Sequence, residues 1–562
     1  MIYVHTLAAY MMIIFLSFAA LLFGSCSSHK SAEEDAKDSN VIATPISHPK
    51  NLSVEMQKLQ EGLQLKLTES ESKQLDQMEL AEDEIPQPSE DEIMLDQALN
   101  HTLIELISLN PNKDVAKIKQ LLADIKSLSK IENFKTRVPS VIETMLDEDR
   151  PINEKILLTH ALGAVNDANA SDKLFQMVSS EDDRNIRNAA AEALSKSKQQ
   201  RNYIQLASTK LYDATSEDSE KSVEEQLSLI GFLGNSKNDE SLNTLREIVS
   251  SSENSKVRVA SIDAIAQIGS DEAVDFLFEM LREPALRQNA AKHLGKFEKE
   301  DVTQRLGELI INDEEEQVKQ IAIEALGYDS SQNARKILIS LLSNKEATQQ
   351  FHQWAASSLQ NTITDQEIPS LVALIAKSND PKLQHLPNLL IPLVAKRGAV
   401  AIEHIEPNLN SAEEIPKLQL IRTLGRIQDE KSFNVLSNYF FTHPDEKEGV
   451  KAEIIQAMSN QKTPKAVSIF EKVVWEASEP GLRNLALNSI GNVLGKDSAP
   501  VATRIISMTN ERELIQTAIE MLRKYGSSDE KVDLIMLKTS GRYSELEGNI
   551  NSAIAAIEAR SN

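Results

Sequence analysis

The chain has 562 residues, of which 41% are hydrophobic and 26% charged, and its net charge is −25. Gly and Pro number 18 each, below the usual roughly 7% and 5%, which excludes a turn-rich β-sandwich, a collagen and a globally disordered chain. The negative balance argues against nonspecific nucleic-acid binding, and a single cysteine excludes an intramolecular disulfide and a zinc site built on several thiolates.

In chain order, Leu7 to Gly24 comes first, an eighteen-residue run without a charge. Such a run partitions into a membrane as a signal h-region or a short spanning helix. It ends in Leu21-Leu22-Phe23-Gly24-Ser25-Cys26 and then turns polar. Two small residues before the cysteine resemble the lipobox of bacterial lipoproteins. The resemblance implies cleavage after residue 25, acylation of Cys26 and anchoring in the outer membrane, since Ser27 and not Asp follows the cysteine. Phe23 replaces the commoner Leu, and the start lacks Lys and Arg, so an uncleaved inner-membrane anchor with a periplasmic body is the alternative.

Residues 26–91 read as an acidic flexible tether. Between 27 and 100 there are 17 acids against 6 lysines, and the stretch up to Pro49 has almost nothing to bury, so it is expected to be disordered and extended by its own charge. Residues 92–148 carry degenerate helical spacing, as in Ile93 to Leu109 and Val115 to Leu128, and read as an N-terminal helical cap.

From residue 149 to 540 a pattern repeats. Val257, Ala260, Ala264, Ile265 and Ile268 fall on one face of a helix, Gly269-Ser270-Asp271 can end it and cap the next, and Val274, Leu277 and Leu281 mark a second amphipathic helix. The place of Ile265 is taken by Leu162, Leu194, Leu233, Leu294, Leu326, Leu359, Val394, Leu424, Met458, Ile490 and Met521, spaced by about 33 residues. These twelve positions are called anchors below. Four residues before each stands a second residue of the same face, among them Leu158, Ala190, Ala290, Ala322 and Thr517. The residue after the anchor is Gly, Ala or Ser in ten cases, small enough for a neighbouring helix to approach closely. Seven before it, eight of twelve are basic, including Arg187, Arg258, Arg287 and Arg483, placed to cap or to pair with acids of the adjacent repeat. Residues 541–562 read as a C-terminal capping helix.

Ala-Leu-Gly before a turn, with a basic residue one helix-face earlier, is similar to HEAT and HEAT-like repeats; Arg187 with Ala190, Ala193 and Leu194, and Lys319 with Ala322, Ala325, Leu326 and Gly327, carry the resemblance best. The fold class it implies is all-α, an α-solenoid of about twelve hairpins, right-handed, with the second helices lining a concave face. Each hairpin is apolar on both sides and cannot hide that surface alone, so neighbours must stack.

Irregularities interrupt the repeat. The spacing rises to 39 near Ser195 to Val223, Pro381, Pro387 and Pro392 break the helix bearing Val394, and Tyr439, Phe440 and Phe441 form the densest aromatic cluster. These three rings are the candidate binding residues, since aromatic anchors dominate hot spots; packing in the core is the other reading. The histidines form no His-x-x-x-His pair, and neither a nucleophile elbow nor a phosphate-cradling loop is present, so no catalytic residue, metal ligand or cofactor is expected. His160 and His293 read as structural, and Trp354 and Trp475 as packing residues.

The expected function is therefore a membrane-anchored scaffold of the cell envelope that binds a protein with a basic face. Two alternatives stay open: an enzyme or enzyme accessory resembling HEAT-like lyases, and an envelope assembly or transport factor that clasps an extended client peptide.

Overall fold

A computed structural model describes residues 89–215 and 220–561. The signal sequence, Cys26 and all of the tether up to residue 88 lie outside them. Residues 90–562 form one unit.

Three helices come first, α1 (Glu90–Ile107), α2 (Val115–Leu128) and α3 (Arg137–Asp147). Twelve hairpins follow: α4 (Ile152–Val165) with α5 (Ala168–Ser180), α6 (Arg184–Ser195) with α7 (Gln200–Thr215), α8 (Glu220–Asn235) with α9 (Leu242–Ser251), α10 (Ser255–Ile268) with α11 (Asp271–Glu279), α12 (Arg287–Lys296) with α13 (Glu300–Asn312), and α14 (Glu316–Leu326) with α15 (Gln332–Ser343). The second six are α16 (Gln349–Thr362) with α17 (Ile368–Ile375), α18 (Leu386–Ala395) with α19 (Ala399–Leu409), α20 (Glu414–Arg426) with α21 (Glu430–Thr442), α22 (Glu448–Asn460) with α23 (Ala466–Glu476), α24 (Pro480–Leu494) with α25 (Ala499–Met508), and α26 (Arg512–Tyr525) with α27 (Ser528–Thr539). A last helix, α28 (Glu547–Ser561), packs on α26 and α27. Among the described residues there is no strand, and the all-α stack of hairpins expected from the sequence is the observed fold.

Local chemistry sets the hairpin boundaries. In the fourth hairpin the Asn254 side chain accepts from the backbone N–H groups of Lys256 and Val257 and starts α10. Gly269 ends it at φ +64°, its N–H donating to the Ile265 carbonyl, a left-handed turn that glycine adopts without penalty. Ser270 then caps α11 by accepting from the Ala273 N–H. The extra residues of the long spacing go into α7, sixteen residues against eight to thirteen in the other second helices. Pro387 stands in the first turn of α18, where its missing N–H is harmless, whereas Pro392 stands inside that helix.

Each first helix (α4, α6, α8 and so on to α26) packs on the first helix before and after it. All twelve anchors are buried, and so are eleven of the residues four positions earlier. The exception corrects the register of the last hairpin. Thr517 is half-buried and Ala518 is fully buried, so the anchor of α26 is Leu522 and Met521 occupies the place before it.

The small residues after the anchors form a seam. A Cβ added to Gly163 would lie 2.7 Å from the Ala193 Cβ, one added to Gly234 2.6 Å from the Ala264 Cα, and one added to Gly425 2.7 Å from the Ala457 Cβ. In each case the glycine of one hairpin meets the residue just before the anchor of the next. Gly491 meets Met521 in the same way, which supports the corrected register. Gln360 breaks the series after Leu359.

Candidate functional site

In several hairpins the polar residue seven before the anchor ties one unit to its neighbours. Arg187 is 7% exposed. Its Nη1 donates to the carbonyls of Glu181 and Asp182, in the loop before its helix, and its Nη2 donates 3.1 Å to Glu224 of the next first helix. Arg258 donates backward to the Val249 carbonyl and lies 3.6 Å from Glu283 ahead of it. Arg287 reaches Gln317, and Arg483 reaches Glu511. Where the position is not basic, the same geometry recurs with other donors. Gln226 donates to the Ala214 carbonyl. The Nε2 of His352 lies 3.0 Å from the Asn344 carbonyl and its Nδ1 2.8 Å from the Nε2 of His385. A carbonyl only accepts, so the His352 Nε2 carries the hydrogen and Nδ1 accepts from His385. Burial holds both imidazoles below the ordinary histidine range. Among the described residues, the expected pairing with acids across repeats is observed at Arg187, Lys417 and Arg483 and not at Lys155, Lys319 or Lys451, while histidine and glutamine take the same place elsewhere.

The aromatic cluster at the end of α21 divides. Tyr439 is buried, stacks on His443 at 4.0 Å and donates its hydroxyl to Glu446, 2.9 Å away. Lys417 forms an ion pair with the same carboxylate at 2.7 Å. Burial works against the Glu446 charge, but its bonds from Lys417 and Tyr439 outweigh it and hold the carboxyl below its usual range. Phe440 is half-buried against the core. Phe441 is 45% exposed, with the Lys472 ammonium 5.2 Å from its ring. So of the three candidate rings only Phe441 offers surface, while Tyr439 closes a polar cluster between hairpins. Cys26, the candidate lipidation site, lies outside the described residues.

His293 bonds Asp263 of the preceding hairpin at 2.7 Å, and burial holds His160 below its ordinary value. Trp354 packs edge-on against Phe351, but Trp475 is exposed, so the packing role expected for Trp475 is not met. Among the described residues, no three His, Cys, Asp or Glu side chains converge as a metal site requires, and no helix is long and apolar enough to cross a membrane.

Two open grooves lie on the outer face of the first helices. One, of about 660 Å³, runs between α6 and α8 and is lined by Asn188, Glu192, Lys196, Gly231 and Asn235. The other, of about 260 Å³, crosses α18, α20 and α22 past Asn388, Arg422, Arg426 and Asn460. A third, of about 450 Å³, lies among loops around Lys345, Asp380 and Glu413. None of these residues was legible as a site from the aromatic or titratable motifs. The signal that finds the first two is the column of residues two positions after each anchor: Lys196, Asn235, Arg426 and Asn460 all fall there.

A family model described as HEAT repeats matches residues 208–295, 242–313, 303–386 and 402–491, so the chain carries HEAT repeats. No curated protein matches it. Among solved structures it is similar to Kap121p bound to Pho4p, at 12% identity and a TM-score of 0.33, over 79% of this chain and 55% of that one. Yeast importin-β (Kap95p) aligns at 14% identity and a TM-score of 0.28, over 85% and 79%. Human deoxyhypusine hydroxylase aligns at 17% and 0.21, over 48% and 97%. This chain spans just over half of the Kap121p chain.

Proposed function

We propose that this HEAT-repeat chain is a lipid-anchored scaffold of the bacterial cell envelope that displays a long surface to a protein partner. The observation that carries the reading is the stack itself. Twelve hairpins bury their inward faces against each other and leave both outer faces continuous from one end to the other, the arrangement repeat proteins use for extended binding surfaces. The anchor half of the proposal rests on the apolar run from Leu7 to Gly24 and on Cys26. Acylation there holds the body at the membrane, more firmly with two or three chains than with one, and a tethered body meets membrane-bound partners at raised effective concentration.

Chemical crosslinking in intact cells, followed by identification of what is captured, tests the scaffold. A protein partner is expected above background, and none would overturn it. Metabolic labelling with an alkyne fatty acid tests the anchor separately. Label is expected on the wild-type chain and lost from Cys26→Ala; equal labelling of both removes the lipoprotein reading and leaves the scaffold to its own test.

A further inference from the structure

Opposite each buried anchor, three positions share the outward side of the first helix: six before, two before and two after the anchor; Asp263, Gln288, Arg422 and Asn484 among them reach across to the next first helix. Four-residue steps keep them on one helical face. With α26 set at Leu522, the twelve hairpins supply thirty-six such positions, and none is buried. Fourteen are Asn or Gln, against 65 in the 562 residues of the chain, more than a threefold enrichment on this face.

Folding does not ask for them. Asn is a poorer helix former than Ala, Lys or Glu, and a solvated face is ordinarily charged. Yet Asn188, Gln353, Asn361, Asn388, Asn488 and Asn492 all stand exposed in first helices and, among the described residues, make no side-chain hydrogen bond. Their donors and acceptors are left open to solvent.

A primary amide donates and accepts together, which matches the N–H and C=O of a peptide unit. Packed helices lie about 8–10 Å apart, and an extended chain advances about 3.2–3.4 Å per residue. One hairpin therefore spans three residues of an extended segment, so amides repeated per hairpin meet equivalent backbone groups whatever the side chains. Charge selects among such segments. The thirty-six positions hold four acids and seven bases, a net +3 on a chain of −25, with Lys196, Lys296, Lys396, Arg426 and Lys524 all two residues after an anchor.

We infer that the outer face of the first helices is a track for an extended, acidic segment of the partner polypeptide, held mainly through its backbone. This rests on the scaffold reading and replaces the basic partner face suggested by the overall charge.

The test uses the full chain and a fluorescein-labelled fifteen-residue peptide of repeating Glu-Ala-Pro, which stays extended, with binding followed by anisotropy. The variant Gln353→Ala/Asn361→Ala/Asn388→Ala is expected to bind about a hundredfold more weakly, the loss of three net hydrogen bonds. A control of equal size on the second helices, Asn333→Ala/Asn434→Ala/Asn438→Ala, is expected to bind as wild type. The peptide N-methylated at its alanines is expected to lose at least tenfold. No binding by the wild-type chain, equal binding by the track variant, or equal binding of the N-methylated peptide overturns the track. A partner still crosslinked in cells by the track variant as by wild type would overturn it too, while leaving the scaffold reading intact.

Discussion

Gly295→Ala is expected to destabilise the chain by about 2 kcal/mol, while Gly231→Ala in the same row of helices is expected to stabilise it by up to about 1 kcal/mol. Both glycines are helical and both changes add one methyl group. At Gly295 the new Cβ would fall 2.1 Å from the Ala325 carbonyl oxygen. That atom belongs to the backbone of the next helix, so no rotamer change relieves the overlap. The two first helices must move apart, and dispersion contacts along their seam are lost with the movement. The helical preference of alanine over glycine returns at most about 1 kcal/mol, less than the overpacking. At Gly231 nothing lies within 4 Å of the added methyl, and only the conformational gain remains. Urea denaturation measures both. Hydrogen exchange should place the damage of Gly295→Ala in α12 and α14, since stability in a repeat array is carried by local units and their interfaces. Equal effects at the two positions would mean that closeness of the seam does not hold the hairpins together.

Glu367→Ala is expected to cost about 3 kcal/mol, and the double change Arg335→Met/Glu367→Met clearly less. Arg335 and Glu367 are 6% and 5% exposed and form an ion pair at 3.0 Å. Glu367 also accepts from the Thr364 N–H and hydroxyl at 2.9 and 2.6 Å, and Arg335 donates to the Ser330 carbonyl. Removing the carboxylate alone strands a buried guanidinium, whereas replacing both partners by apolar side chains removes the stranded charge. Burial by itself would raise the Glu367 carboxyl, but the bonds from Thr364 and Arg335 outweigh it and hold the group below its ordinary value of 4.5. The folded value is therefore the lower one. The contribution is fully present above the unfolded value and is lost as the pH falls through the folded one. The stability gap between wild type and Glu367→Ala should be constant near neutrality and shrink in acid below about pH 4.5. A gap that widened in acid would contradict this assignment.

The stack was legible because burial leaves a periodic mark. Leu162, Leu294 and Leu424 each had to be aliphatic, and Gly163, Gly295 and Gly425 each had to be small, so spacing alone located the first helices and the turns after them. The slip at α26 shows the limit of that signal. Met521 and Leu522 are both apolar and both buried, and only the burial of Ala518 in place of Thr517 and the partner of Gly491 across the seam tell which of them is the anchor. Aromatic density misled differently. Tyr439, Phe440 and Phe441 are adjacent in sequence, but successive helical residues point about 100° apart, so one is buried, one half-buried and one exposed. The amide columns leave no mark in the charge or the hydrophobic period of the sequence, since an Asn such as Asn388 changes neither. They became visible once the anchors fixed which polar residues share a face.

The seam also decides how the molecule would answer to tension. Because adhesion is passed from each unit only to those beside it, a pull on the two ends is borne in series, and the weakest joint yields first. That joint is between α16 and α18: Gln360 replaces the small residue that draws adjoining first helices together in every other hairpin before α26, and Pro392 removes a backbone bond from the facing helix. The histidine contact between His352 and His385 and the bond from Arg397 to the Ile363 carbonyl bridge the same gap with polar links. Stretching would therefore open a hinge at mid-length and leave the stiffer arms on either side in register.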